Sequence, residues 1–214
     1  WCNTTLFRCG FETLENRIYY NFDRVANTCD VDSNWGKSDI HIGMDFNVNP
    51  MTAVISVYER GCLYIFDEIV EKGSNTFEMT KIIKAKYPGC TYFVYPDPTG
   101  NKRQANAPIG VTDISILRKA GFIICTPPSP YASKDKWNSV NSALLNAKGE
   151  RRVFIGKNCC PNLRKAFEGF AFKENELPDK STGLDHISDA AAYLITYKFP
   201  AFEARVVKPK VLGV

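Results

Sequence analysis

No run of 18 or more apolar residues occurs in this 214-residue chain, so no segment reads as a membrane-spanning helix. The opening Trp1-Cys2-Asn3-Thr4-Thr5 lacks the basic-then-apolar order of a signal peptide, and the missing initial Met suggests a fragment. Neither CxxC spacing nor a Cys/His zinc pattern is present. The eight cysteines, at 2, 9, 29, 62, 90, 125, 159 and 160, are scattered and several fall in strand-like runs. They read as reduced, mostly buried thiols of a cytosolic protein. A strong charge of one sign is also missing: the net charge of +4 and a pI near 8.6 permit a nucleic-acid partner without demanding one. There is no internal repeat or low-complexity tract. With 44% hydrophobic and 13% aromatic residues, the chain is too apolar for disorder and long enough for one sizeable α/β core.

What is present is an ordered series of elements. Three strand signals, Ile40 to Phe46, Thr52 to Tyr58 and Cys62 to Ile69, follow one another through short turns and predict an antiparallel meander. A helix is expected over Thr76 to Lys86, with Asn75 and Glu78 at capping-box spacing. Then come a strand at Thr91 to Tyr95, a helix capped by Thr112, a strand at Phe122 to Cys125 and an amphipathic helix over Asp135 to Lys148. Arg151 to Ile155 suggests a strand, Pro161 the first residue of a short helix, and Leu184 to Lys198 a final helix. The polar segment from Lys173 to Gly183 is expected as a mobile loop or exposed hairpin. Residues 1–38 look like a lead-in or linker and 199–214 like a basic tail, leaving 39–198 as the domain.

Four acids stand out against this frame. Asp45 lies near the end of the first strand of the meander. Asp97 sits in Pro96-Asp97-Pro98-Thr99-Gly100, a turn at the tip of a later strand. Asp185 and Asp189 are one turn apart on the last helix, away from its apolar stripe of Ile187, Ala191, Leu194 and Ile195. Carboxylates gathered without partners repel, so their convergence implies divalent cations and metal-assisted phosphoryl chemistry. Plainer readings exist: Asp45 and Asp97 could each only cap a turn, and Asp67 and Glu68, at the end of the third strand, could reach the site or simply be solvated. Lys102 and Arg103 follow Asp97 closely, and Lys134, Lys136, Arg151, Arg152 and Lys180 could form a positive track for phosphates. No recognition helix or zinc finger is evident, so any nucleic acid bound would be read mainly through its backbone.

Three antiparallel strands followed by alternating helices and strands, with acids on the first strand, the fourth strand and a late helix, match the ribonuclease-H-like layout. That layout is an α/β fold whose central mixed sheet begins antiparallel, adds parallel strands and is flanked by helices. More narrowly, Ile42-Gly43-Met44-Asp45-Phe46-Asn47, Phe66-Asp67-Glu68, Pro96-Asp97-Pro98 and Asp185-His186-Ile187-Ser188-Asp189-Ala190-Ala191-Ala192-Tyr193 resemble the C-terminal nuclease domain of tailed-bacteriophage terminase large subunits of the headful-packaging type. The segment Ile18-Tyr19-Tyr20-Asn21-Phe22-Asp23-Arg24 resembles the stretch preceding that domain.

The resemblance implies a metal-dependent endonuclease that cuts concatemeric viral DNA during genome packaging, with little sequence specificity. It implies Asp45, Asp97 and Asp189 as ligands of Mg²⁺ or Mn²⁺, two ions in all, with His186 orienting a ligand or assisting proton transfer. Asp185 is left open between direct ligation, ligation through water and capping of its helix. Glu68 is a possible accessory acid. The implied partners are double-stranded DNA, the portal protein and the small terminase subunit, with no membrane, in the cytoplasm of an infected bacterium. No Gly-x-x-x-x-Gly-Lys-Ser/Thr loop occurs, so the packaging ATPase of such subunits is expected to be absent from this chain. Alternatives are another ribonuclease-H-like enzyme, such as an integrase or junction resolvase, or a non-catalytic portal- or capsid-docking module.

Overall fold

A computed structural model describes residues 16–101, 111–127 and 129–201. In chain order the elements are β1 (Thr28–Cys29), β2 (Asp39–Asp45), β3 (Met51–Glu59), β4 (Cys62–Glu71), α1 (Thr76–Lys86), β5 (Thr91–Pro96), α2 (Asp113–Lys119), β6 (Ile123–Ile124), α3 (Ser133–Leu144), β7 (Val153–Gly156), α4 (Pro161–Gly169) and α5 (Asp185–Lys198). The seven strands form one mixed sheet in the order β1-β7-β4-β3-β2-β5-β6. β2, β3 and β4 are antiparallel neighbours, as the short connections require. Arg60 and Gly61, with φ of 51° and 79°, make the tight β3–β4 turn. β5, β6, β7 and β1 then add in parallel.

Strand alternation sends side chains to two cores. Ile40, Ile42 and Met44 of β2 join Met51, Ala53 and Ile55 of β3 and Met79 and Ile83 of α1 on one face. Val54, Leu63 and Ile65 pack on the other against Val140, Leu163, Phe167, Ala191 and Leu194 of α3, α4 and α5. α5 rests across β2, β3 and β5 between α3 and α4. Nearly its whole circumference is covered, more than the single apolar stripe suggests, because Ala190, Ala191 and Ala192 let neighbours approach from several sides. Thr112 caps α2 in a full capping box with Ser115, and Asn75 accepts from Glu78 N at α1.

Three expectations need correction. Residues 16–38 are not a mere connector: Ile18, Tyr19 and Phe22 are buried in the core, Tyr19 against Phe167, and β1 adds an edge strand beside β7. Residues this apolar belong to the core they cover. α3 stops at Leu144 rather than Lys148, because the Asn146 side chain accepts from Lys148 N and Glu150 N and closes a turn instead. Of the six free cysteines among the described residues, only Cys90 and Cys160 are buried; the other four are half-buried. The segment 173–183 is an exposed hairpin, closed by Lys173 N donating to Leu177 O, and it ends in a 3-10 turn over Lys180–Thr182. Beyond Ala201 the basic tail lies outside the described residues.

Candidate active site

β2 and β5 run parallel, with Met44 paired to Pro96, so Asp45 and Asp97 leave neighbouring strands at the same end, where strands stand about 4.8 Å apart. Asp97 N donates to Met44 O at 3.1 Å, fixing the second loop to the first. Within its own loop Asp97 Oδ1 accepts from Thr99 N at 2.8 Å, the Asx turn that a Pro-Asp-Pro sequence favours. Phe46 closes this corner, its ring lying where a side chain on Gly100 would have to go.

The third acid arrives on α5. At Gly43 a Cβ would stand 2.1 Å from the carbonyl oxygen of Ala190, so only glycine lets the helix backbone sit directly on β2. Thr52, paired with Asp45 across the antiparallel ladder, donates through Oγ1 to His186 O at 3.0 Å and pins the first turn of α5. Two contacts from the sheet thus place Asp185, His186 and Asp189 over the strand ends.

His186 Nδ1 lies 3.3 Å from Asp45 Oδ2, and its Nε2 lies 3.8 Å from Asp185 Oδ1. The imidazole therefore lies between two carboxylates, hydrogen-bonded to Asp45 and not to Asp185. Asn47 Nδ2 lies 2.9 Å from the ring nitrogens, so its amide donates to whichever carries no proton. Burial pushes the Asp45 carboxyl up to about 6, the charges of Asp189 and Asp97 add to the rise, and His186 opposes it. The Tyr193 hydroxyl is pushed well above its usual value, first by burial and then by the charges of Asp189, Asp97 and Asp45. One tyrosine thus faces three of the four acids. Asp185, the first residue of α5, is 5% exposed; its Oδ1 is buried without a hydrogen-bond partner and its Oδ2 is 3.6 Å from Lys180 Nζ. It does not occupy the cap position, which belongs to Leu184.

The basic residues scatter. Lys136, expected on a surface track, is buried at 7% exposure with its ammonium 2.7 Å from Asp189 Oδ1. Lys134 is exposed in the same turn of α3, and Lys180 stands at Asp185. Arg151 and Arg152 lie at the far end of the sheet, since they precede β7, which runs parallel to β4 from Leu63. The Arg151 guanidinium donates there to Asn27 Oδ1 and Leu144 O, while Arg152 stacks over Phe199. Lys102 and Arg103 fall outside the described residues. Glu68 accepts from Asn162 N and Leu163 N at 2.8 Å and so caps α4 from a neighbouring strand. Asp67 pairs with Lys86 and accepts from the Tyr87 hydroxyl.

Among the described residues, no three acid, histidine or cysteine side chains close tightly enough on one point to form a ready metal cage. Lys136 lies on Asp189 and His186 on Asp45 instead. The donor set still suits a hard divalent cation: it is all carboxylate, the charges of Asp189 and Asp97 raise the proton affinity of Asp45, and Asp185 carries an orphaned buried oxygen. Sequence reading misses Asn47, Thr52 and the burial of Lys136. Gly43, a glycine inside a β-run, is the readable signal of a close backbone approach.

A family model described as the terminase RNaseH-like domain matches residues 42–198. Among solved structures, the large terminase of a thermophilic bacteriophage superposes with a TM-score of 0.65 at 18% identity, covering 85% of this chain and 45% of that one. The P22 large terminase nuclease domain superposes with a TM-score of 0.64 at 14% identity, covering 88% and 96%. The large terminase nuclease of thermophilic phage G20c, solved with bound magnesium, gives 0.52 at 15% identity, covering 85% and 97%. At such identities these likenesses speak for the fold, and the chain spans under half the length of the first of these proteins. No curated protein sequence matches the chain. With three-quarters of its length matched by one family model, and with the mixed sheet and terminal helix described above, the chain belongs to the terminase RNaseH-like domain family.

Proposed function

We propose that this domain is a divalent-cation-dependent endonuclease that hydrolyses DNA phosphodiesters with little sequence preference and serves genome packaging. The observation that carries the reading is the meeting of Asp45, Asp97 and Asp189 from two parallel strand ends and one helix, close enough that the charges of the other two raise the Asp45 carboxyl. Mg²⁺ or Mn²⁺ held by these three carboxylates, as two ions, would supply the positive charge that lowers the proton affinity of an attacking water and stabilises the leaving oxygen. Asp185, with one unpartnered oxygen, is the candidate fourth ligand.

The chain's own residues have definable tasks around that centre. His186, 3.3 Å from Asp45, orients this carboxylate and can hold a proton at the edge of the site, with the Asn47 amide donating to its unprotonated nitrogen. Tyr193 lies beside these acids and offers its ring face to the Lys136 ammonium. Lys134 and Lys180, exposed at this end of the sheet, are placed to meet phosphates of the bound strand, whereas Arg151 is engaged in holding Asn27 and the end of α3. Engagement of portal and small terminase subunit by the larger protein belongs to the same reading. The test is cleavage of supercoiled plasmid by the purified chain with Mn²⁺, beside Asp45→Asn, Asp97→Asn and Asp189→Asn. Metal-dependent cutting lost in all three supports the reading, and equal cutting by the variants sinks it. Preference for four-way junctions over linear duplex would instead favour a resolvase-like enzyme.

A further inference from the structure

Lys136 is in the wrong place for an ordinary lysine. Its side chain is 9% exposed, and it lies in the first turn of α3, whose cap residue Ala132 makes no side-chain hydrogen bond. A buried ammonium loses its hydration, and the N-terminal end of a helix carries partial positive charge that repels it. Two costs therefore oppose this position. Two contacts offset them: Asp189 Oδ1 at 2.7 Å and the face of Tyr193, whose centroid is 4.4 Å from Nζ. Asp45 and Asp97 act on the same tyrosine and lie close by. Lys180, also near the acids, is 69% exposed and 3.6 Å from Asp185, a solvated pair of little weight. Among the described residues, Lys136 is thus the buried positive charge beside the acids.

We propose that Lys136 is a built-in counter-ion of the acid cluster: its ammonium holds Asp189 while no metal is bound and must release that oxygen before a divalent cation can take it. The inference rests on Asp189 being a cation ligand. It deepens that assignment by giving the site a reason to stay assembled without metal and a reason to bind metal weakly. An arriving cation loses the Lys136–Asp189 hydrogen bond and meets a positive charge a few ångströms away in a half-buried site. Both effects weaken binding at this carboxylate, and neither depends on DNA.

The decisive experiment measures Mn²⁺ binding calorimetrically on the wild-type chain, Lys136→Met, Lys136→Arg and Asp189→Asn, with melting temperatures recorded in EDTA. Met keeps the apolar stem against Tyr193, and Lys136→Gln replaces it should the Met variant fold poorly. Removing the charge should tighten Mn²⁺ binding by about tenfold or more, while Lys136→Arg should stay near the wild type. In EDTA the Met variant should melt below the wild type, and Lys136→Met/Asp189→Asn should recover part of that loss, because the uncompensated charge is gone. If Lys136→Met binds Mn²⁺ with unchanged or weaker affinity while the wild type binds well, the counter-ion role is overturned and the lysine serves packing or phosphate. If Asp189→Asn binds Mn²⁺ as well as the wild type, or the wild type binds none, the ligand assignment fails and the counter-ion role falls with it.

Discussion

Replacing Gly43 by alanine tests the placement of α5 with a single methyl group. The added Cβ would stand 2.1 Å from Ala190 O, 2.9 Å from its carbonyl carbon and 3.0 Å from Val54 Cγ2, while ordinary contact begins near 3.4 Å. Backbone cannot swing aside as a long side chain does, so α5 must lift by more than an ångström or β2 must bow. Overpacking of this kind costs about 1–3 kcal/mol, which for a domain of this size lowers the melting temperature by roughly 2–12 °C. The functional consequence should exceed the stability loss, because Asp189 directly precedes Ala190 and His186 is one turn earlier. Displacing reacting groups by about 1 Å can lower a rate on the order of a hundredfold. The assay pairs thermal unfolding with Mn²⁺-dependent plasmid nicking below the melting range. A Gly43→Ala protein that melts with the wild type and nicks at the wild-type rate would refute the claim that the helix backbone rests on β2.

Asp45→Asn should stabilise the metal-free protein at neutral pH while abolishing Mn²⁺ binding. The Asp45 carboxyl is raised to about 6 in the folded chain from 3.8, so the folded state holds the proton more tightly than the unfolded one and stability falls as pH rises through this window. The advantage of Asn should be absent below pH 3.8 and grow to at most about 3 kcal/mol above pH 6, read by urea unfolding in EDTA across that range. Glu68→Ala removes the acceptor for two N–H groups of α4 and should cost about 1–2 kcal/mol of stability with Mn²⁺ affinity unchanged. A large loss of Mn²⁺ binding there would make Glu68 a ligand instead. Arg151→Ala should destabilise by about 1–3 kcal/mol, with an unchanged salt dependence of DNA binding, because its guanidinium holds Asn27 Oδ1 and Leu144 O. Lys134→Ala/Lys180→Ala should shallow that salt dependence by about one to two charges.

The strands and helices are legible in the sequence because hydrophobic period and punctuation agree: Pro88-Gly89 after α1, Thr112 before α2, and Pro161 opening α4. Asp45 and Asp97 can be paired from sequence once β2 and β5 are taken as parallel neighbours with acids at their ends. What escapes depends on contacts between distant segments. Nothing in Asp67-Glu68 announces that Glu68 caps a helix 94 residues away, and nothing in the first turn of α3 distinguishes Lys134, in solvent, from Lys136, buried against Asp189. The N-terminal stretch reads as a connector because Ile18, Tyr19 and Phe22 form no periodic run; their burial is set by contacts with Asn141 of α3 and Phe167 of α4.

The most direct test of the account is a crystal of this chain soaked in Mn²⁺ and measured at the manganese edge. Anomalous peaks coordinated by the carboxylates of Asp45, Asp97 and Asp189, with the Lys136 ammonium moved off Asp189, are the expected result. Peaks elsewhere, or none at a concentration that supports cleavage, would contradict it.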